Sequence, residues 1–462
     1  MTLIKSISGI RGTLSNEPGE HLTPEALVKF TSAYGSWLKQ VCGKENAKVV
    51  VGRDARLSGP MVDHLVCGTL LAMGLDVVNL DLATTPTVEL AVVNEQAQGG
   101  IILTASHNPV EWNALKLVNG DGEFLNQAEG KAVLDIAEKG PIRYADVHHL
   151  GTEEKQPSAL QQHIDMILEL PQVDASAISE AGFKVVVDGI NSVGGIALPR
   201  LLRALGVEQV VEINCEPSGH FAHTPEPLPE NLHQIRQAVV DHHADVGFVV
   251  DPDVDRLAII NEDGSMFGEE YTLVAVADYI LGQTPGNTVS NLSSTKALRE
   301  LTASYGGNYY PSAVGEVNVV EKMKQQNAVI GGEGNGGVIF PGLHYGRDAL
   351  VGVALFLSHL ALSGKKCSQI RQRYPFYHII KNKIQLTPDM DVDHILERMK
   401  QAYRDYPLND IDGLKIHFSE GWVHLRKSNT EPIIRLYCES DDEASAQQLA
   451  REVMQTVEQF LE

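Results

Sequence analysis

The sequence predicts an α/β protein of several domains, and three observations predict it. Short apolar runs bounded by Gly, Asp or Pro alternate with helix-period stretches over most of the chain. The length of 462 residues exceeds what one hydrophobic core of ordinary size serves, and the usual domain scale gives roughly three or four compact units. With 43% hydrophobic, 6% aromatic and 21% charged residues, the composition is that of globular proteins that bury substantial cores.

In chain order, strands are expected at Lys48 to Val51, Asp76 to Leu80, Gly100 to Leu103, Lys184 to Val187, Val246 to Val250 and Leu257 to Ile260. Each run is short and apolar at successive positions, as in strands covered on both faces. The polar, aperiodic stretch Tyr144 to Ser158 marks a first boundary. A β-α pattern then resumes near Phe183 and closes around Val250, and a third unit runs from Asp251 to about Gly364. Gly364 to Pro375 is basic and short of apolar residues, as a linker to a final unit is. The expected domains are therefore 1–152, 153–250, 251–366 and 367–462. Three successive units of similar size and rhythm suit distant structural copies.

A formal charge of −23 opposes binding to nucleic acid and to anionic membrane surfaces, which rests on Lys and Arg meeting phosphates. A small phosphorylated ligand remains compatible where a few cations converge. Cys42, Cys67, Cys215, Cys367 and Cys438 form no Cys-x-x-Cys pair and read as reduced thiols of a cytoplasmic protein. Met1 to Thr13 lacks a continuous apolar core, and no later run reaches the roughly eighteen apolar residues of a membrane span.

Four loops carry candidate chemistry. Thr104-Ala105-Ser106-His107-Asn108-Pro109 follows an apolar run, so a strand delivers the Ser106 hydroxyl. Such a hydroxyl can carry a phosphoryl group if a neighbour, His107 or Lys116, removes its proton and cations hold the anion; the same residues also suit a polar turn. Asp251-Pro252-Asp253-Val254-Asp255-Arg256 follows the run Val246 to Val250. Alternate side chains of an extended segment face one way, so Asp251, Asp253 and Asp255 can converge on a hard cation such as Mg²⁺. A solvated acidic turn is the alternative. Water or a phosphate oxygen must complete the metal's shell, and a phosphorylated Ser106 would supply one.

Gly331 to Gly337 places Glu333 and Asn335 among glycines, where a ligand can approach backbone and find hydrogen bonds for hydroxyls. It matches neither the dinucleotide nor the P-loop spacing, and a flexible turn explains it equally. Arg426-Lys427-Ser428-Asn429-Thr430-Glu431-Pro432 lies between strand-like Trp422 to Leu425 and Ile433 to Tyr437. Arg426 can fork onto phosphate oxygens while hydroxyl, amide and backbone donors close around the rest. An ordinary hairpin turn is the competing reading.

In this order and spacing, the four loops resemble the active-site signature of the α-D-phosphohexomutase superfamily over essentially the whole chain. Ser8 to Thr13 and Val51 to Arg56 resemble its N-terminal arginine loop and the strand end that follows. The resemblance implies four domains around a central cleft, three related α/β units and a smaller C-terminal α+β domain. It implies phosphorylation of Ser106 and Mg²⁺ held by Asp251, Asp253, Asp255 and the phosphoserine at 106. It places Arg11, His107 and Lys116 at the transfer site and Arg256 beside the metal loop. Glu333 and Asn335 would bind sugar hydroxyls, and Arg426, Ser428, Asn429 and Thr430 the non-reacting phosphate. Asn335-Gly336-Gly337 replaces the Ser-Gly-His of many relatives, and Gly315-Glu316 replaces a Gly-His or Gly-Asp. The glycine-rich form resembles a branch assigned to glucosamine phosphate.

The expected activity is a mutase moving a phosphoryl group between the 6- and 1-positions of a hexosamine or hexose, glucosamine phosphate first, through a bisphosphate intermediate. A phosphoglucomutase or phosphomannomutase is the nearest alternative. A phosphoserine-dependent sugar phosphatase and a catalytically silent sugar-phosphate sensor are the rivals of other classes. The expected assembly is a monomer or homodimer with no nucleic-acid or membrane partner.

Overall fold

The computed structural model of the protein describes residues 3–6, 9–15, 20–44, 46–386, 391–427 and 433–461. The chain forms two compact units, Met1–Tyr279 with Asn335–Gln369, and Ile280–Gly334 with Ile370–Glu462.

The first unit opens with β1 (Ile4–Ser6), β2 (Gly9–Thr13), β3 (Lys48–Arg53), β4 (Asp76–Leu82), β5 (Gly99–Leu103), β6 (Trp112–Val118) and β7 (Glu153–Lys155), in the sheet order β1-β2-β6-β5-β3-β4-β7. β3 pairs in parallel with β4 and β5, whereas β6 returns antiparallel on β5. Leu27, Phe30 and Leu38 of helix Pro24–Cys42 bury one face of the sheet in a cluster with Val49, Val51, Ile101 and Leu103. On the other face, a Cβ at Gly52 would come within 2.5 Å of Val88 Cγ2, so its absence admits the close approach of helix Thr85–Asn94. Glu153–Lys155, expected to open the second domain, instead pairs with β4 at the edge of this sheet. All three residues are exposed, so no apolar alternation marks them as a strand.

The second sheet contains β8 (Lys184–Asp188), β9 (Gln209–Ile213), β10 (Val246–Val250) and β11 (Leu257–Asn261), in the order β11-β10-β8-β9. β8 is parallel to both neighbours, and β11 folds back antiparallel on β10. The sequence-based boundary at 250/251 therefore falls within a β-hairpin. The acidic loop that interrupts the apolar pattern there is the connection between two paired strands.

In the second unit, β12 (Asn287–Asn291) pairs in parallel with β13 (Tyr309–Ser312) and β14 (Ala328–Glu333). The chain then re-enters the first unit with β15 (Gly337–Ile339) and helix Ala349–Ser363. This helix is apolar around its circumference and buried at every residue from Ala349 to Leu360, as such helices must be. Its N-cap, Asp348, accepts the amides of Leu350 and Val351. The second unit closes with β16 (His378–Gln385), β17 (Leu408–Asn409), β18 (Leu414–His417), β19 (Gly421–Lys427) and β20 (Ile433–Ser440), an antiparallel sheet ordered β16-β20-β19-β18-β17. Helices Val392–Ala402 and Glu443–Leu461 cover it, with Ile395, Met399, Val453 and Val457 in one cluster with Leu414, Val423 and Leu436. This is an α+β arrangement.

The order β6-β5-β3-β4 recurs as β11-β10-β8-β9, and β14-β12-β13 repeats its last three members. The similar rhythm of the sequence is thus a repeated topology. Asp54, Ser106, Asp251 and Glu333 all stand at or just beyond carboxyl ends of parallel strands, where open α/β sheets place their ligand sites. Among the described residues no helix is long and apolar enough to cross a membrane. The five cysteines are free thiols.

Candidate active site

Ser106 leaves the end of β5 with φ 50, a left-handed conformation uncommon for a residue with a side chain. Local bonds hold it there. Thr104 Oγ1 accepts the Ser106 amide at 2.9 Å and donates to Asp54 Oδ2 at 2.7 Å. Arg56, fully buried, donates to Asp54 Oδ2 and to the carbonyls of Ser106, Asn108, Pro109 and Trp112. These bonds use the five N–H groups of a guanidinium and fix the loop at several points. The Ser106 hydroxyl donates to Asp251 Oδ2 at 2.7 Å and lies 3.3 Å from His107 Nδ1.

The loop from Asp251 to Arg256 brings three buried carboxylates together, with one oxygen of each within 4.8 Å of the others. Asp251 Oδ1 accepts the amides of Asp255 and Arg256, which turns the loop back on itself. Val254 has φ 65, a strained conformation for a β-branched residue, on the order of 1–3 kcal/mol. Three bonds to loop carbonyls hold the turn. Ser192 Oγ donates to Pro252 O, Thr85 N–H to Asp253 O, and Ala349 N–H to Val254 O.

Four cations surround the carboxylates. Lys116 Nζ lies 2.6 Å from Asp253 Oδ2 and 3.4 Å from Asp255 Oδ2, and Arg347 donates to Asp255 Oδ2 at 2.6 Å. Arg256 Nε stands 3.9 Å from Asp255 Oδ1. Arg11 donates to Asn108 Oδ1 at 2.6 Å beside the serine loop. Burial and the charges of Asp255 and Asp253 push Asp251 well above the usual carboxylate range. Burial acts the same way on Asp255, but Arg347, Lys116 and Arg256 outweigh it and hold that carboxyl below its ordinary value. Burial alone would lower the Lys116 pKa; Asp253 and Asp255 reverse this and raise it. Burial, with Arg256 and Arg11, pulls His107 well below its ordinary value and leaves the ring neutral.

The residues fit a hard divalent cation. Asp253 Oδ1 and Asp255 Oδ1 are buried acceptors without a hydrogen-bond partner, a costly state that a cation would relieve. A carboxylate trio facing a serine hydroxyl, amid four cations, can hold a metal and a phosphoryl group together.

Glu333 and Arg426 belong to the second unit, and Asn335 to the first. Glu333 Oε1 accepts from Asn291 Nδ2 at 2.8 Å and from the Gly315 amide at 3.2 Å, which orients the carboxylate. β14 continues through Gly331 to Glu333, so the first residues of the glycine-rich stretch are strand and not turn. A Cβ at Gly331 would meet Met323 Sδ at 2.5 Å, so this glycine serves packing of helix Glu316–Gln326 on the sheet. Gly336 has φ 86 and leaves no room for a Cβ against Leu257 O. Asp412 pairs with Arg426 Nε at 3.2 Å, and the same Oδ2 accepts the Val314 amide at 2.9 Å. Ser428, Asn429 and Thr430 lie outside the described residues.

His424 bridges this region, with Nε2 2.6 Å from Asp412 O and Nδ1 2.9 Å from Ser293 Oγ. Burial pushes its pKa from 6.5 down to about 4. The unfolded chain therefore takes up a proton that the folded chain refuses between those values, and stability is lost as pH falls from about 6.5 towards 4. The expected loss is on the order of 3 kcal/mol. Urea unfolding near both ends of this window should show it, and His424→Gln should reduce the difference.

Sequence reasoning brought out Ser106, His107, Lys116, Arg11, Arg256 and the three aspartates, and the first unit gathers all of them. It missed Arg56, Thr85 and Arg347 as site residues. Arg56 carries a partial signal, since Asp54-x-Arg56 follows a strand end. Thr85 and Arg347 have none, because they reach the aspartates only through tertiary folding.

Serine, aspartate trio and cations at the carboxyl ends of parallel strands define the class: an α/β enzyme whose site could hold a phosphoryl group beside a divalent cation. Family models for phosphoglucomutase/phosphomannomutase domains match along the chain, the alpha/beta/alpha domains I, II and III at residues 3–142, 161–264 and 268–377 and the C-terminal domain at 383–456. The chain belongs to the phosphoglucomutase/phosphomannomutase family, the phosphohexomutases, which are isomerases. It is 35% identical over 444 residues to a phosphoglucomutase/phosphomannomutase of Thermococcus kodakarensis, covering 95% of each chain. It is 32% identical to a probable phosphoglucosamine mutase of Methanopyrus kandleri, covering 98% of each. A solved phosphoglucomutase/phosphomannomutase family protein from Burkholderia thailandensis superposes with TM-score 0.84 at 26% identity, over 98% of this chain and 96% of that one.

Proposed function

We propose that this chain interconverts the 6- and 1-phosphates of a hexosamine or hexose, with glucosamine phosphate preferred, by way of a phosphorylated Ser106. The observation that carries the reading is the 2.7 Å bond from Ser106 Oγ to Asp251 Oδ2, which sets a group-accepting hydroxyl on the aspartate trio. A sugar hydroxyl attacks the phosphorus of phospho-Ser106, the P–Oγ bond breaks, and the hydroxyl proton passes to a basic side chain. His107, whose neutral ring lies 3.3 Å from Ser106 Oγ, suits that role; Lys116, held protonated by Asp253 and Asp255, would serve only after losing its proton. The bisphosphorylated sugar then returns its other phosphate to Ser106, restoring the enzyme. Arg11, Arg256, Arg347 and Lys116 offset charge on the transferring oxygens.

Asp251, Asp253 and Asp255, with an oxygen of phospho-Ser106, would hold Mg²⁺. When bound, the ion acts as a Lewis acid towards the phosphoryl oxygens. In the second unit, Glu333 offers an oriented acceptor to a sugar hydroxyl, and Arg426 a guanidinium to a phosphate, together with Ser428, Asn429 and Thr430; Asn335 adds an amide. The oxygen-rich, buried donor set supports Mg²⁺ over softer metals. Chelation is expected to reduce turnover at least about hundredfold, with recovery on adding Mg²⁺, because the transferring oxygens lose the ion's charge stabilisation.

The sugar preference draws support from the relative in Methanopyrus kandleri and from a 31% identical phosphoglucosamine/phosphogalactosamine mutase of Sulfurisphaera tokodaii. A coupled assay should compare glucosamine, glucose and mannose phosphates with Mg²⁺ and a trace of hexose bisphosphate. More than about tenfold preference for glucosamine phosphate in kcat/KM, roughly 1.4 kcal/mol, is expected. Equal rates would make this a broad hexose-phosphate mutase, and inorganic phosphate released as fast as isomer would make it a phosphatase.

A further inference from the structure

The aspartate loop is held partly by the first amides of two helices, and two histidines span those helices: His344, 3.4 Å from both Glu89 Oε2 and Asp348 Oδ2, and His163, the more deeply buried and the closer bonded. Thr85 N–H, the first amide of helix Thr85–Asn94, donates to Asp253 O at 2.8 Å, and Thr85 Oγ1 donates to Asp253 Oδ2 at 2.6 Å. Ala349 N–H, the first amide of helix Ala349–Ser363, donates to Val254 O at 3.2 Å. His163, in a third helix, Ala159–Leu168, lies between their caps. Its Nδ1 is 3.0 Å from Thr87 Oγ1, which in turn lies 2.7 Å from the capping Thr84 Oγ1. Its Nε2 is 2.9 Å from Oδ2 of Asp348, the cap of the other helix. His163 is 1% exposed and Asp348 fully buried.

We infer that His163 is a positioning residue of the metal site: it ties together the two helix N-termini whose amides fix the carbonyls of Asp253 and Val254, and so sets how the carboxylates converge. A buried histidine bonded at both nitrogens could serve packing alone. What separates the two roles is that this tie ends on the strained turn at Val254 and on the carboxylate of Asp253. Helix ends free to shift by a fraction of an ångström would alter the spacing of the metal ligands while leaving the sheets intact. Groups outside a metal's ligands that orient them typically change metal affinity about 10–100-fold when removed.

The inference rests on the reading of the trio as the metal site, and the test keeps the two apart. Full-length protein, with phosphorylation at Ser106 checked by intact mass, is titrated with Mn²⁺ and free ion read by electron paramagnetic resonance. Wild type should bind one ion, and Asp253→Asn should weaken it; if neither holds, the metal reading fails and this inference with it. With wild-type binding intact, His163→Phe, which loses both bonds, should raise the Mn²⁺ dissociation constant about tenfold. Its turnover deficit at low Mg²⁺ should recover at high Mg²⁺, which a purely structural lesion would not produce. His163→Gln, which can still reach Asp348, should fall between. If His163→Phe fails to fold, Thr87→Val decides, since it cuts one link and leaves the histidine in place. Mn²⁺ affinity within about twofold of wild type in the folded variants would overturn the inference.

Discussion

Ser106→Ala is expected to lower mutase turnover at least about 10⁴-fold, more than roughly 5 kcal/mol of transition-state stabilisation. The hydroxyl is the atom on which the phosphoryl group would rest, and no other described side-chain hydroxyl bonds Asp251. Alanine keeps the backbone, and the bonds that place it remain: the Ser106 amide on Thr104 Oγ1 and the Ser106 carbonyl on Arg56. Removing the hydroxyl also leaves Asp251 without that donor, but Asp251 is already pushed towards its neutral form by burial and its neighbours. The fold should therefore survive. Turnover in the coupled assay, with unfolding measured alongside, checks both parts; near-normal turnover would remove the covalent route. Intact mass should show one added phosphoryl group in the wild type, localised to residue 106, and none in the variant.

Arg56→Ala is expected to cost on the order of 3–5 kcal/mol of stability, the range for breaking a buried ion pair from one side. The guanidinium is fully buried, as is its partner Asp54 at 3.0 Å, and it also serves four carbonyls around the serine loop. Burial already pushes Asp54 above the usual carboxylate range against the opposing pull of Arg56. Without the arginine, burial would push that carboxyl further towards its protonated form. Arg56→Lys should restore little, because a point charge with three donors cannot fill a fork of five. Denaturant unfolding reads the stability loss. Turnover measured where the variant is still folded should fall as well, because the serine loop loses its supports.

Much of the fold was legible because buried parallel strands are short, apolar and bounded by loop residues. Val246 to Val250 emerges with its expected limits, and Lys48 to Val51 and Gly100 to Leu103 extend by one or two residues. The domain limits were harder. β7 is three exposed charged residues, and β11 returns across an acidic loop, so both join their sheets through pairing that no local pattern announces. The glycine-rich loop shows a different limit. Gly331 and Gly336 answer to the nearness of Met323 and Leu257 O, information held by distant segments.

Read from the chain alone, the α/β class, the serine, the aspartate trio, His107 and Lys116 emerged as candidates, because each lies in a short motif whose residue types suit phosphoryl chemistry; Arg11 and Arg256 joined them through the family resemblance. Tertiary structure alone decided that Arg347 and Thr85 finish the carboxylate site, that Arg56 holds the serine loop, and that His163 joins the helices beneath the aspartates. Those contacts span 50 to 185 positions in the chain. A buried charge or hydrogen bond is satisfied by whatever folding brings within about 3 Å, and residue type alone does not say which partner that will be.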